Sequence, residues 1–217
     1  MPIDFKFPLN CLPGIGEVWA GDYDISIGVE GPVTILDIGA NCGAFSARCM
    51  AMWPQAKITA YEPNPETFRY LYENCSPLGV ECIQAAVGDQ SNRFYRNGND
   101  SPLCGSLEDV GEQAESGFEV AVVEPRSLPH AEIVKIDTEG SEAYIVERLG
   151  FTPDILLLEW HSDVRRARIE HALSGRMKLF GSKQYGLNRG VLKYASYSIM
   201  PGNFKDPDFT TEAPPLT

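Results

Sequence analysis

The strongest constraint on how this chain folds is an alternation: short apolar, β-rich runs recur, with stretches of helical periodicity between them. Five runs carry it, VTILDI at 33–38, KITAY at 57–61, VECIQAA at 80–86, EIVKID at 132–137 and DILLLEW at 154–160. Strands alternating with helices build βαβ units, whose right-handed crossovers cover both faces of a mostly parallel sheet. The expected fold class is therefore α/β, a doubly wound, Rossmann-like sheet with helices on both faces. The clearest helix is 65–75, where Asn64 caps, Pro65 suits the first helical position, and Phe68, Leu71, Tyr72 and Cys75 recur on one face. A further helix near 162–174 precedes GVLKYASYSI at 190–199, an alternating run that with a strand near 176–181 predicts a closing C-terminal antiparallel pair.

A length of 217 residues suits one domain with one core, read as 1–200, followed by a proline-rich tail at 201–217 that is expected to be mobile. The polar segment 93–117 reads as an irregular excursion covering a site. Thirty acidic against 18 basic residues give a net charge of -12, which repels phosphate backbones and anionic headgroups and argues against nucleic acid or a membrane surface as partner. No window reaches the roughly 18 apolar residues of a membrane span, and MPIDFKFPLN lacks the plan of a signal peptide, so the chain reads as cytoplasmic. The six cysteines show no CxxC pair and read as reduced, mostly buried thiols. No surface stripe names an oligomer, which leaves a homodimer open.

In open α/β sheets the chemistry sits at the carboxyl ends of the strands, near the point where strand order reverses. The first strand runs into D-I-G-A-N-C-G at 37–43, where Gly39 and Gly43 permit a tight turn and the helix starting near Ala44 offers free N–H groups to an anion. This is not the dinucleotide fingerprint, which would require glycine at Asn41 and Ala44. The second strand ends at Glu62, in Y-E-P-N-P, where a carboxylate can accept bonds from the vicinal hydroxyls of a ribose. The third ends in QAAVGD, whose Ala85 and Ala86 leave room for a flat ring.

D-I-G-A-N-C-G, Y-E-P-N-P, A-A-V-G-D and V-K-I-D-T-E-G-S-E, in this order, resemble the FkbM-like family of class I methyltransferases over about residues 20–162. The resemblance implies S-adenosylmethionine as cofactor, with the glycine turn holding its methionine part and the acid after strand two its ribose. By position it places Asp37, Gly39, Asn41, Gly43, Glu62 and Ala86 at the cofactor, with Pro63 and Asn64 beside the adenosine. It further implies a hydroxyl acceptor on a small molecule or glycan, such as a sugar or polyketide. An N-methyltransferase or peptide modifier is the alternative, against which stands the absence of a D/N-P-P-Y/F/W segment after strand four. A silent cofactor-binding module is the third reading.

The candidate catalytic groups stand at strand ends four and five. Side chains alternate along a strand, so Lys135 and Asp137 share one face, as do Glu159 and His161; if the two strands are neighbours, all four meet. Asp137, by family position, and His161, by its intrinsic pKa near 6.5, share the claim to be general base. Glu139 on the following turn is a candidate for binding the acceptor, or for interacting with a helix N-terminus near Gly140. Lys135 has a second reading, as the neutraliser of Asp37 or Asp137 in a partly buried network. No metal is assigned, although Asp137, Glu139, Glu159 and His161 are donors that could converge on Mg²⁺ or a transition ion.

Overall fold

The computed structural model describes residues 5–25, 33–89, 93–97, 105–106 and 114–200. Its first helix is α1 (Leu12–Trp19), followed by β1 (Thr34–Ile38), α2 (Ala44–Met52), β2 (Lys57–Tyr61), α3 (Pro65–Cys75) and β3 (Glu81–Ile83). After a set of short strands the regular pattern resumes with β9 (Ile133–Ile136), α4 (Glu142–Arg148), β10 (Ile155–Trp160), α5 (Asp163–Leu173), β11 (Met177–Gln184) and β12 (Gly190–Ser196).

The main sheet has seven strands in the order β11-β12-β10-β9-β1-β2-β3, parallel except for the closing β11–β12 pair, in which β12 runs antiparallel to β10. The chain winds outward from β1 to β3, then returns to β9 on the other side of β1. The switch point therefore lies between β1 and β9. Side-chain alternation splits the core in two. Ile35, Ile133, Ile155 and Leu157 pack with Ile15, Phe45 and Leu71 on the face covered by α1, α2 and α3. Leu36, Ile38, Ile136 and Leu158 pack with Ile145, Ile169 and Leu173 under α4 and α5. The expected doubly wound sheet and antiparallel closure are both present.

Several expectations are corrected. The third strand stops at Ile83, where Ala85 N–H bonds to Ile83 O at 3.0 Å and turns the chain out of the sheet. Ala86 then enters a separate two-residue strand, β4 (Ala86–Val87), parallel to β8 (Val122–Val123). The segment read as irregular contains β5 (Arg93–Asn97), β6 (Gly105–Ser106) and β7 (Ala114–Glu119), an antiparallel sheet in the order β6-β5-β7. On α3, Leu71 and Cys75 are buried but Tyr72 is exposed. Helix α1 was not anticipated, because Pro13, Gly14 and Gly16 mask an amphipathic turn that buries Ile15 and Val18. The tail at 201–217 lies outside the described residues. Among the described cysteines all are free, and all but the half-buried Cys82 are buried.

Candidate active site

The glycine turn is held from three directions. Gly39 and Ala40 donate backbone N–H bonds to Tyr61 O at 3.0 and 2.9 Å, which ties the end of β1 to the end of β2. Gly39 has φ of +75°, and a Cβ there would lie 1.8 Å from Asp137 O, so the turn and the end of β9 meet backbone to backbone. Lys135 Nζ donates to Gly39 O at 2.7 Å. Asn41, at φ of +52°, takes a left-handed conformation that asparagine tolerates better than most residues.

Asp37 and Lys135 are cross-strand partners on β1 and β9 and share the α1–α3 face. Asp37 is fully buried; its Oδ2 accepts from Ser46 Oγ at 2.7 Å and its Oδ1 lies 3.3 Å from Lys135 Nζ. The same ammonium is 3.6 Å from Asp137 Oδ2. Burial alone would lower the lysine pKa, but the charges of Asp37 and Asp137 outweigh it and raise it. Lys135 is thus the network cation of its second sequence reading, and Asp37 supports the turn from behind rather than lining the pocket.

Glu62 is buried. Its Oε2 accepts from Asn41 N–H and its Oε1 from Asn64 N–H, each at 2.9 Å. The turn therefore has a structural use for this acid as well. Each carboxylate oxygen retains a second lone pair for a ligand hydroxyl. Burial pushes its pKa up to about 7 against those two bonds and the charge of Lys135. Asn64 caps α3, accepting from Glu66 N–H at 3.0 Å, and leaves its buried Nδ2 without a partner. Pro63 is half-buried between them, and Ala86 is held in β4.

Strands β9 and β10 are parallel neighbours, so the four groups expected to meet do so. His161 Nδ1 lies 3.0 Å from Glu142 Oε1, and its Nε2 is 3.1 Å from Glu139 Oε2 and 3.6 Å from Glu159 Oε1. Burial pulls the imidazolium pKa down, but the Glu142 hydrogen bond and the charges of Glu139, Glu142 and Asp137 hold it up at about 10. Glu159 is fully buried; Tyr23 Oη donates to its Oε2 at 3.1 Å, and Arg189 Nε donates to its Oε1. Burial and Asp137 raise its pKa to about 8, against Arg189 and His161.

Glu142 was missed by sequence reasoning, where it looks like an ordinary acid in a first helical turn. It is fully buried, and its Oε1 also faces Gly140 N–H at 2.9 Å and Thr138 N–H at 3.3 Å. The role at the helix start that was offered for Glu139 belongs to Glu142, since α4 begins there rather than near Gly140. Glu139 instead sits at φ of +55°, a conformation costly for a side-chain-bearing residue, and turns toward His161. Tyr23, Glu17 and Arg189 were also missed, because their approach depends on α1 and on the β11–β12 loop.

Between α1 and the glycine turn lies a pocket of about 50 Å³, lined by Glu17, Tyr23, Asn41, Phe45, Lys135 and Asp137 among others. Of the residues assigned to the cofactor only Asn41 lines it directly. Of those assigned to catalysis, Lys135 and Asp137 do.

The switch point at β1/β9, the glycine turn above it and the closing antiparallel pair define the class I methyltransferase fold. The methyltransferase FkbM of Methylobacillus flagellatus KT superposes with a TM-score of 0.52 at 15% identity, over 81% of this chain and 48% of that one. The Methanococcus jannaschii fibrillarin pre-rRNA processing protein gives 0.51 at 12% identity, over 82% and 74%. By sequence the chain is 29% identical over 150 residues to the hexuronic acid methyltransferase AglP of Haloferax volcanii, 64% of this chain and 60% of that protein. It is 24% identical over 164 residues to a tRNA1(Val) adenine N6-methyltransferase of Vibrio parahaemolyticus, 65% of this chain and 64% of that protein. The chain thus spans less than two thirds of the length of these curated relatives. No protein-family model matches it. Among the described residues no helix is long and apolar enough to cross a membrane.

Proposed function

We propose that the chain is an S-adenosylmethionine-dependent methyltransferase acting on a hydroxyl oxygen of a small molecule or glycan. The observation that carries this reading is the juxtaposition of the glycine turn with Asp137 and Lys135 around one pocket at the switch point. The residues present fit the cofactor. The N–H groups at the start of α2 suit its carboxylate, Glu62 keeps two lone pairs for the ribose hydroxyls, and the unpartnered Asn64 Nδ2 is a donor beside the adenosine position.

The cofactor, when bound, supplies an electrophilic methyl group in line with its sulfonium leaving group. The chain's own task is to align the acceptor oxygen and accept its proton. Asp137 takes that role, since it lines the pocket and is fixed beside Lys135. His161, holding its proton up to a pH of about 10 in this arrangement, is not a free base near neutrality. Glu139 and Glu159 orient it, and Lys135 holds turn and base together.

An oxygen acceptor on a sugar is supported by the likeness to a hexuronic acid methyltransferase, and the net charge of -12 and the D-T-E-G that follows β9 in place of an amine-binding segment favour it over a nucleobase amine. The likeness to a tRNA adenine methyltransferase favours an N-methylation reading, which the acidic charge disfavours. Calorimetric titration with S-adenosylhomocysteine, with NADH as control, tests the cofactor: saturable one-to-one binding of the former alone is expected. Binding of neither, or of NADH, overturns the reading. Methyl transfer to uronic acid or sugar hydroxyls, set against transfer to bulk tRNA, tests the acceptor.

A further inference from the structure

We propose that Asp137, Glu139 and His161 form a binding site for one divalent transition cation. One donor atom from each of the three lies within 4.8 Å of the others. Around an ion with bonds of about 2.1 Å, adjacent ligand atoms stand about 3 Å apart and opposite ones about 4.2 Å, so the cluster needs only a small adjustment to close. Glu139 Oε2 and His161 Nε2, 3.1 Å apart, already have the spacing of adjacent ligands.

Two observations make this more than a group of acids. His161 Nε2 is enclosed and makes no hydrogen bond, despite the carboxylate oxygen beside it. The other ring nitrogen, Nδ1, is engaged with Glu142 Oε1 at 3.0 Å, and Glu142 is fully buried and fixed by the backbone of the preceding turn. A carboxylate that accepts the N–H of one imidazole nitrogen and leaves the lone pair of the other facing a ligand set is the arrangement by which proteins orient a metal-binding histidine.

Glu159 stands outside the set, because Arg189 and Tyr23 already occupy its two oxygens. The partly exposed side chains of Asp137 and Glu139 leave an open side for water or a ligand oxygen. One imidazole and two carboxylates suit Mn²⁺, Co²⁺ or Zn²⁺ better than Mg²⁺. Like any metal-binding histidine, His161 must present an unprotonated Nε2 to hold the ion. The existence of the site is independent of the methyl-transfer reading. Its role is not, since an acceptor oxygen on the ion would be held beside Asp137.

The test uses the full chain freed of metal by chelation and dialysis. Mn²⁺ is titrated with the free ion followed by electron paramagnetic resonance, and Co²⁺ by calorimetry. One ion per chain is expected, with affinity falling at least tenfold in Glu139→Gln and in His161→Ala, and ten- to a hundredfold in Glu142→Gln. Mn²⁺ should raise the melting temperature of the parent protein and not that of Glu139→Gln, a variant at a partly exposed position that keeps the fold if His161→Ala does not. No binding at millimolar Mn²⁺ and Co²⁺, or binding unchanged in Glu139→Gln, overturns the site. S-adenosylhomocysteine is titrated in the same preparation. Ion binding without it would sink the methyltransferase reading and leave the metal site standing, and the converse would do the reverse.

Discussion

Replacing Glu62 with glutamine separates two roles that this residue carries. In the folded chain its carboxylate accepts two backbone bonds of 2.9 Å, from Asn41 and Asn64, at almost no solvent exposure. Its pKa rises from 4.5 to about 7, and at roughly 1.4 kcal/mol per pH unit burial of the charge costs about 3 kcal/mol above neutrality. The sign follows from proton counting: between pH 4.5 and 7 the folded form holds a proton that the unfolded chain has released. This group's cost is therefore absent below pH 4.5 and complete once pH has passed 7. Glutamine removes that cost but sets an amide N–H₂ against one backbone donor, a loss of about 1.5–3 kcal/mol. The two effects nearly cancel near pH 8, so the melting temperature should hold or rise by no more than about 6 °C. Ligand affinity has no such compensation. With one acceptor gone and the other uncharged, binding of S-adenosylhomocysteine should weaken by about 1.5–3 kcal/mol, ten- to a hundredfold. Calorimetry and thermal melts at pH 8 measure both. An unchanged dissociation constant alongside a melting temperature lowered by 8 °C or more would refute the ribose role and leave Glu62 a clamp on the turn.

Lys135→Met leaves Asp37 buried without its cation and should cost about 3–5 kcal/mol in urea unfolding, with most of it recovered by adding Asp37→Asn; a double variant as unstable as the single would remove the pairing from the account. Asp137→Asn should lower methyl-transfer turnover at least a hundredfold while S-adenosylhomocysteine affinity stays within threefold, as single-turnover assays and calorimetry can show, and equal turnover would deprive Asp137 of the base role. Arg189→Ala strips a half-exposed guanidinium from the buried Glu159 carboxylate, whose pKa already stands raised at about 8. Removing the cation raises that pKa further, so the lost stability should be small at pH 6 and grow to about 2 kcal/mol as pH passes 8, and a pH-independent loss in denaturant melts would point to packing instead.

Much of this site is legible in the sequence because the parallel sheet converts spacing into position. I-V-K-I-D puts Lys135 and Asp137 on one face, and L-E-W-H puts Glu159 and His161 on the same face of the adjacent strand; register did the rest. What stayed hidden came from elements whose local signals are weak. Helix α1 is disguised by two glycines and a proline, so its Glu17, and Tyr23 just beyond it, could not be assigned to the pocket wall. Glu142 resembles any acid in a first helical turn, and only the fold shows His161 arriving from β10 to meet it. Glu62 was read for its ligand chemistry alone, because its backbone partners lie on two different loops. The strands in 93–117 escaped notice because glycine, serine and asparagine dominate the segment, although Phe94 and Tyr95 favour extended structure.

One lysine joins the turn that would seat the methyl donor to the aspartate that would receive the acceptor. Lys135 is anchored in a central strand, and its single ammonium touches Gly39 O, Asp37 and Asp137. Donor and acceptor registration would thereby be set by the sheet interior, whereas the sequence between β4 and β8 and the β11–β12 loop supply none of these three contacts. Recombining those segments between homologous chains, with Arg189 kept on Glu159, should redirect the acceptor preference while leaving the transfer geometry intact, so this scaffold is suited to loop grafting for new acceptors.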